Sequence, residues 1–302
     1  MAAIAILGPG GVGGFLAGAL ARAGEDVVVV ARAETARAIA RNGIAVRSVR
    51  LGDFAVAPPA TAALTAAVDL LLVATKATGL AAALDRIEAE PRLVVPLLNG
   101  LDHMQVLHAR FGSERVLAGT IRIESNRVAP GRIVQSSPSL RVDLASDDPA
   151  LRPDVLRLGA TLETAGISVE IGASEAQILW SKLVRLCALA CTTTAADREI
   201  GFIRSDPEWR EALVACIREA TAVANADGAL IDAADMIGEL DAAHPELGSS
   251  MQRDIAAGRE PELEAIAGSV LRAADRHGLA CPTIARLAGQ IAQRSGLPPP
   301  RI

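Results

Sequence analysis

Apolar residues in the first third of the chain fall into short continuous runs, at 2–7, 26–31, 69–74 and 93–97. Each run is bounded by glycine or polar turn residues. Runs of that length, apolar nearly throughout, predict strands buried on both faces. Between them the spacing becomes helical. Residues 12–23 read as a helix stopped by Gly24, and 34–41 as a second that ends at the Asn42-Gly43 turn. Residues 44–49 and 54–56 are weaker strand candidates, and helical stretches follow the strands at 69–74 and 93–97. Strand and helix thus alternate at βαβ spacing to about residue 110. Parallel neighbours need a crossover between them, so a doubly wound α/β sheet is expected.

From 114 to 144 the pattern is strand-like, with turns at Pro130-Gly131 and 136–139. An antiparallel extension of the same sheet would account for it, with Arg122 and Arg127 as solvated strand residues. A helix at 152–164 and a short strand at 168–171 follow. Beyond Gly172 strand patterns stop, and 174–190, 207–226, 233–240, 261–277 and 282–293 all carry helical spacing. Ser174 reads as an N-cap with Glu175 in the first turn. Pro207 after Asp206, and Pro261 before Glu262, mark further helix starts. The expected organisation is an α/β domain over 1–172 with a Rossmann-type sheet and an all-helical domain over 173–302.

A chain of 302 residues that is 51% apolar and 22% charged can bury two cores. A net charge of −5, aromatics at 2% and no tyrosine leave neither a broad basic surface nor stacking platforms, which argues against nucleic acid. Cys187, Cys191, Cys216 and Cys281 form no CxxC pair and read as buried, reduced thiols of a cytoplasmic protein. Cys187 and Cys191 can share a helix face, but no histidine or acid stands near them, so core packing is expected and no metal site. The first basic residue is Arg22, and six glycines fall between Gly8 and Gly18, unlike a signal peptide. No apolar run reaches the ~18 residues of a membrane span.

The strongest local signal is G-x-G-x-x-G at Gly8, Gly10 and Gly13, with Gly11 and Val12 inside it. It follows a predicted strand and opens a predicted helix, the context of a dinucleotide-binding loop. Gly8 allows the tight turn, Gly10 lets a pyrophosphate approach, and Gly13 lets helix pack on strand. The helix N-terminus offers N–H groups and partial positive charge. At the end of the second strand, where an NAD site carries an acid for the ribose hydroxyl, this chain has Val30-Ala31-Arg32. Arg32 suits a 2′-phosphate, which makes NADPH the expected cofactor.

Taken with Thr75-Lys76, Asn99-Gly100, Trp180-Ser181-Lys182-Leu183, the segment 249–254 and the segment 257–263, this loop gives the chain a pattern that resembles ketopantoate reductases over nearly its whole length. The resemblance implies a Rossmann domain, a helical domain and an active site in the cleft between them. It implies Lys182 as the catalytic lysine, Glu262 as a carboxylate contacting substrate and lysine, and Ser250 as a ligand of the substrate carboxylate. Lys76 and Asn99 are implied to line the nicotinamide and the reacting carbonyl. On the residues alone, Ile178, Lys182, Leu186 and Ala190 lie four apart on one helix face, an apolar face holding one ammonium. Such a lysine snorkels, pairs with a carboxylate, or has a lowered pKa that makes it a usable acid. Glu262 read alone compensates a helix dipole. The four histidines stand at no telling spacing.

Leu186, Ala190 and Ala267 stand where the family usually carries asparagines. That departure bears on the substrate, since lost amides change hydrogen bonding to a polar ligand. The expected reaction is NADPH-dependent reduction of a small 2-oxo acid, 2-dehydropantoate to pantoate, with Lys182 as general acid. The alternatives are a relative acting on a more apolar 2-oxo acid, a β-hydroxyacid dehydrogenase of similar architecture, and a non-catalytic NADP-binding sensor. A small-molecule 2-oxo acid is the expected partner, with neither membrane nor nucleic acid, and a homodimer is left open.

Overall fold

The computed structural model of the chain describes residues 3–301. It forms two compact units. One holds the chain up to Leu98 together with His103–Ile178, the other Asn99–Asp102 and the chain from Leu179 onward.

The strands run in chain order β1 (Ile4–Leu7), β2 (Val27–Val30), β3 (Ile44–Ser48), β4 (Phe54–Val56), β5 (Ala60–Thr61), β6 (Leu70–Val73), β7 (Leu93–Pro96), β8 (Ala118–Ala129), β9 (Arg132–Ala145) and β10 (Ser168–Ile171). Ala2, expected in the first strand, lies outside the described residues. The first sheet has the order β5-β2-β1-β6-β7 and is parallel at every pair. The chain adds β2 and then β5 on one side of β1 and crosses to the other side to form β6, so the strand order reverses between β1 and β6. β1, β6 and β7 are buried along their whole lengths, which their continuous apolar runs require. Helices α1 (Gly11–Arg22), α2 (Ala33–Asn42), α3 (Leu80–Leu84), α4 (Asp102–Phe111) and α5 (Arg152–Thr164) alternate with the strands.

Residues 114–144 do not extend the first sheet. β8 and β9 form a long hairpin turning at Pro130-Gly131, and β9 continues through 136–139 without a turn. β9 pairs in parallel with β3 at one end and with β10 at the other, and β3 pairs antiparallel with β4. The result is a second sheet, β10-β9-β3-β4, with β8 on β9. Glycines on one face of α1 explain the separation. A Cβ at Gly11 would strike the Ser125 carbonyl, one at Gly14 would meet Ile133, and one at Gly18 would meet Val46. These positions fall at i, i+3 and i+7, so one bare stripe admits the second sheet against the helix. Ile121, Ile133, Leu140, Val142 and Leu144 of that sheet join Phe15, Leu16 and Leu20 of α1 in one core. Arg122, expected to be solvated, is only 20% exposed and stands 3.9 Å from the buried Asp143, beside Arg141 at 2.7 Å.

The second unit is helical: α6 (Glu175–Ala196), α7 (Ile200–Ser205), α8 (Pro207–Ala226), α9 (Ala233–Asp241), α10 (Ser250–Ala256), α11 (Ser269–Arg276) and α12 (Pro282–Ser295). The division between units falls inside α6. Ser174 caps that helix, accepting from the Gln177 N–H at 3.1 Å, and Asp206 caps α8, accepting from the Trp209 N–H at 3.1 Å. α6 is the one helix among the described residues long and apolar enough to cross a membrane, yet 72% of that window is buried inside the fold. All four cysteines are free and buried, with the Cys187 and Cys191 sulfurs 3.9 Å apart.

Asp227, just past α8, ties three elements together. It accepts from Trp180 Nε1–H at 2.9 Å, lies 2.8 Å from His277 Nε2, and has the Arg276 guanidinium at 3.6 Å. Burial pushes its carboxyl up, but the hydrogen bonds from His277 and Trp180 and the Arg276 charge outweigh burial and hold it below its ordinary 3.8. A folded value below the unfolded one adds stability above pH 3.8 that is lost as pH falls through the folded value. In urea unfolding Asp227→Asn should cost about 1–3 kcal/mol at pH 7. The gap from wild type should shrink below pH 4; an unchanged gap at pH 3 would contradict this role.

Candidate active site

The glycine loop sits where β1 hands the chain to α1. Gly8 adopts φ +90°, a left-handed conformation that side chains strain to reach, and its N–H donates to the Val30 carbonyl at 3.0 Å. A Cβ on Gly8 would also press on Thr75, so the turns after β1 and β6 meet there. That point is the reversal of strand order, at the carboxyl ends of the strands, where open α/β sheets bind ligands. A Cβ on Gly13 would collide with the Gly8 carbonyl oxygen, whereas one on Gly10 would meet nothing within 4 Å. Gly10 caps α1 without a side-chain acceptor, and the first turn carries no acid. Bare backbone at a helix start, free of acids, fits a pyrophosphate. Gly11 has a separate reason to be glycine, its contact with β8.

Arg32 is exposed immediately past β2, at the N-cap of α2, and the acid nearest to it in sequence, Glu34, lies beyond it in the helix. Lys76 is exposed just after β6. Both belong to the first unit with the loop.

Asn99 follows β7 but belongs to the second unit. Its Nδ2 donates to Glu262 Oε2 at 3.0 Å across 163 residues of sequence. Glu262 is only 9% exposed. It lies one residue ahead of the expected first turn, immediately before the helix that starts at Leu263, with its carbonyl accepting the first helical bond from the Ile266 N–H at 3.0 Å, and a π-helical turn, Glu264–Gly268, follows. Lys182 is half-buried on α6, one turn after the buried Ile178. Leu186 is half-buried one turn further on, and Ala190 is buried.

The two neighbouring serines divide their work. Ser249 is buried and caps α10, accepting from the Gln252 N–H at 3.1 Å, with the Thr193 and Thr194 hydroxyls each 3.1 Å from its Oγ. Ser250, the first residue of α10, is exposed and leaves its hydroxyl accessible. The sequence pattern assigns no role to Ser249, Thr193 or Thr194. A run of three hydroxyl residues, Thr192 to Thr194, on an apolar helix was the available signal, since buried hydroxyls need partners. Among the described residues no group of three or more His, Cys, Asp or Glu side chains could hold a metal.

A parallel doubly wound sheet with this loop at its reversal point, followed by a helical unit, defines a dinucleotide-dependent oxidoreductase class. Residues 4–146 match the family described as Ketopantoate reductase PanE/ApbA, and residues 176–295 match its C-terminal partner. A 2-dehydropantoate 2-reductase of Halobacterium salinarum is 27% identical, covering 97% of this chain and 99% of its own. The crystal structure of 2-dehydropantoate 2-reductase from Geobacter metallireducens superposes with a TM-score of 0.88 at 28% identity, covering 97% of this chain and 99% of that one. A D-mandelate dehydrogenase solved with NADH and anilino(oxo)acetate shares the fold, with a TM-score of 0.89 at 19% identity over 97% of this chain and 98% of that one. The chain belongs to the ketopantoate reductase family. It is an oxidoreductase that takes a nicotinamide dinucleotide.

The loop contacts separate two glycine substitutions. Gly13→Ala should lower the thermal midpoint by several degrees, about the effect of 1–2 kcal/mol on a domain of this size. Gly10→Ala should leave that midpoint nearly unchanged while weakening cofactor binding, read by calorimetry. Equal destabilisation by both would contradict the geometry.

Proposed function

We propose that the protein reduces 2-dehydropantoate to pantoate with NADPH. The observation that carries this reading is the 3.0 Å pair between Asn99 and the buried Glu262 in a chain of this family. Gly8, Gly10, Gly11, Val12 and Gly13 would hold the pyrophosphate, Arg32 the 2′-phosphate, and Lys76 and Asn99 the nicotinamide end. NADPH, when bound, supplies a hydride to the carbonyl carbon. Lys182 gives a proton from its ammonium to the carbonyl oxygen, so that ketone becomes hydroxyl with charge and protons balanced. Glu262, oriented by Asn99, holds the substrate and the lysine. The Ser250 hydroxyl bonds the substrate carboxylate. Free, buried cysteines support work in the reducing cytoplasm.

A second reading is favoured by one observation. Leu186 is half-buried one turn from Lys182, where the family pattern carries an amide. Long helical side chains lean toward the N-terminus, so Leu186, four residues on, is directed toward the turn that carries the proposed acid. A 2-oxo acid with a larger apolar substituent would be served by that side chain. NADPH oxidation across a panel of 2-oxo acids separates the readings. Highest kcat/KM for 2-dehydropantoate supports the first, and for aryl or long branched acids the second. Tight NADPH binding without turnover of any acid leaves a non-catalytic binding protein and overturns both.

Lys182→Ala should lose roughly 10²–10⁴-fold in kcat, the usual worth of a positioned acid. Its affinity for NADPH should stay at the wild-type value. Wild-type kcat in this variant would remove Lys182 from the chemistry.

Arg32→Ala should weaken NADPH by about 10–100-fold, the loss of one charge-assisted pair. NADH should be nearly unaffected, and equal losses for both cofactors would show that Arg32 does not read the 2′-phosphate.

A further inference from the structure

The segment Asn99–Asp102 is fastened to the helical unit by more than the Asn99–Glu262 pair. Ser269, the first residue of α11, is buried and uses its hydroxyl twice on this segment. It accepts from the Leu101 N–H at 3.3 Å and donates to Asp102 Oδ2 at 2.8 Å. Arg272, one turn on, donates to the same Asp102 oxygen at 2.6 Å. Its other branch reaches Glu264 Oε1 at 2.5 Å, and it also donates to the Glu264 carbonyl at 2.9 Å. Arg272 therefore bridges the segment to the start of the π-helical turn. Between these ties Gly100 adopts φ +85°, and a Cβ there would collide with the Ala265 carbonyl oxygen and stand 2.9 Å from Ser269 Oγ.

The chain at 99–102 thus lies flat on the π-helical turn, held at both ends. Glu262 precedes that turn and Ser269 follows it. A helix dipole alone would account for Asp102 at the start of α4. It does not account for a buried serine that spends both its hydrogen-bonding capacities on the segment, nor for an arginine that ties the segment to the turn. π-turns of this kind widen a helix locally and occur often at functional sites. The geometry points to Ser269 and Arg272 as positioning residues for Asn99. They set the register of the 99–102 backbone so that the Asn99 amide meets the Glu262 carboxylate. This inference rests on the reading of Asn99 and Glu262 as groups that handle substrate.

The test is a double-mutant cycle on kcat, with NADPH and whichever 2-oxo acid of the panel is turned over fastest. Ser269→Ala should lower kcat by roughly 10–100-fold, as small misplacements of reacting groups do. NADPH affinity should not change. In an Asn99→Ala background the same substitution should change kcat by no more than about twofold, because its effect runs through Asn99. Losses that multiply in the double variant would indicate a general structural role and overturn the inference. Asp102→Asn keeps an acceptor for Ser269 and should retain most of kcat, whereas Asp102→Ala should behave like Ser269→Ala. This second pair carries the test if Ser269→Ala does not fold, and equal losses for both would overturn the inference. If Asn99→Ala alone is harmless, the reading of the site falls and this inference with it. If Asn99→Ala is damaging and Ser269→Ala is not, only the positioning role falls.

Discussion

Gly13 rests so closely on the Gly8 carbonyl that any side chain there would part α1 from β1. Most of the first unit follows from that approach. With the helix pressed to the strand, its opposite face, bare at Gly11, Gly14 and Gly18, is left to receive the second sheet. One helix thereby belongs to two layers, and its buried Phe15, Leu16 and Leu20 are common to both. The same closeness brings the N–H groups of the first helical turn to the carboxyl end of β1. The structural constraint and the proposed anion site are thus one feature of the chain.

The second unit meets a different constraint, the cost of burying polar groups. Glu262, Ser249, Ser269, Thr193 and Thr194 are all buried, and each has a partner. A buried hydroxyl or carboxylate left unmatched costs about 1–3 kcal/mol or more, so these groups hold their neighbours in place. The hydroxyls around Ser249 fix the start of α10, whose first residue, Ser250, is exposed. The network around Ser269 does the same for Asn99.

Much of this was legible in the sequence. Continuous apolar runs located β1, β2, β6 and β7, because strands buried on both faces admit little else. The glycine spacing located the tight turn from β1 into α1, and Ser174 and Asp206 announced their helices by capping chemistry. The second sheet was not legible. β8 and β9 carry alternating patterns that any antiparallel sheet would carry, and the pairing of β9 with β3 depends on a glycine face of a helix far away in sequence. α7 and α10 are too short for a periodic pattern to declare itself. Proline-acid spacing placed the helix start within one residue of Glu262, but the π-helical turn that follows at Glu264–Gly268 leaves no mark in that spacing. That Asn99–Asp102 belongs with the helical unit depends on contacts more than 160 residues away, to Ser269 and Arg272. No local pattern encodes them.

The family, the loop and the paired Asn99 and Glu262 lead to one claim, direct hydride reduction of a 2-oxo acid. Its most direct test is isotopic. NADPH carrying deuterium at both C4 positions of the nicotinamide is incubated with the protein and 2-dehydropantoate, and the product is examined by mass spectrometry and NMR. The account predicts pantoate carrying deuterium at the hydroxyl-bearing carbon. Product with only solvent hydrogen at that carbon, or bound and unconsumed NADPH with every 2-oxo acid offered, would contradict it.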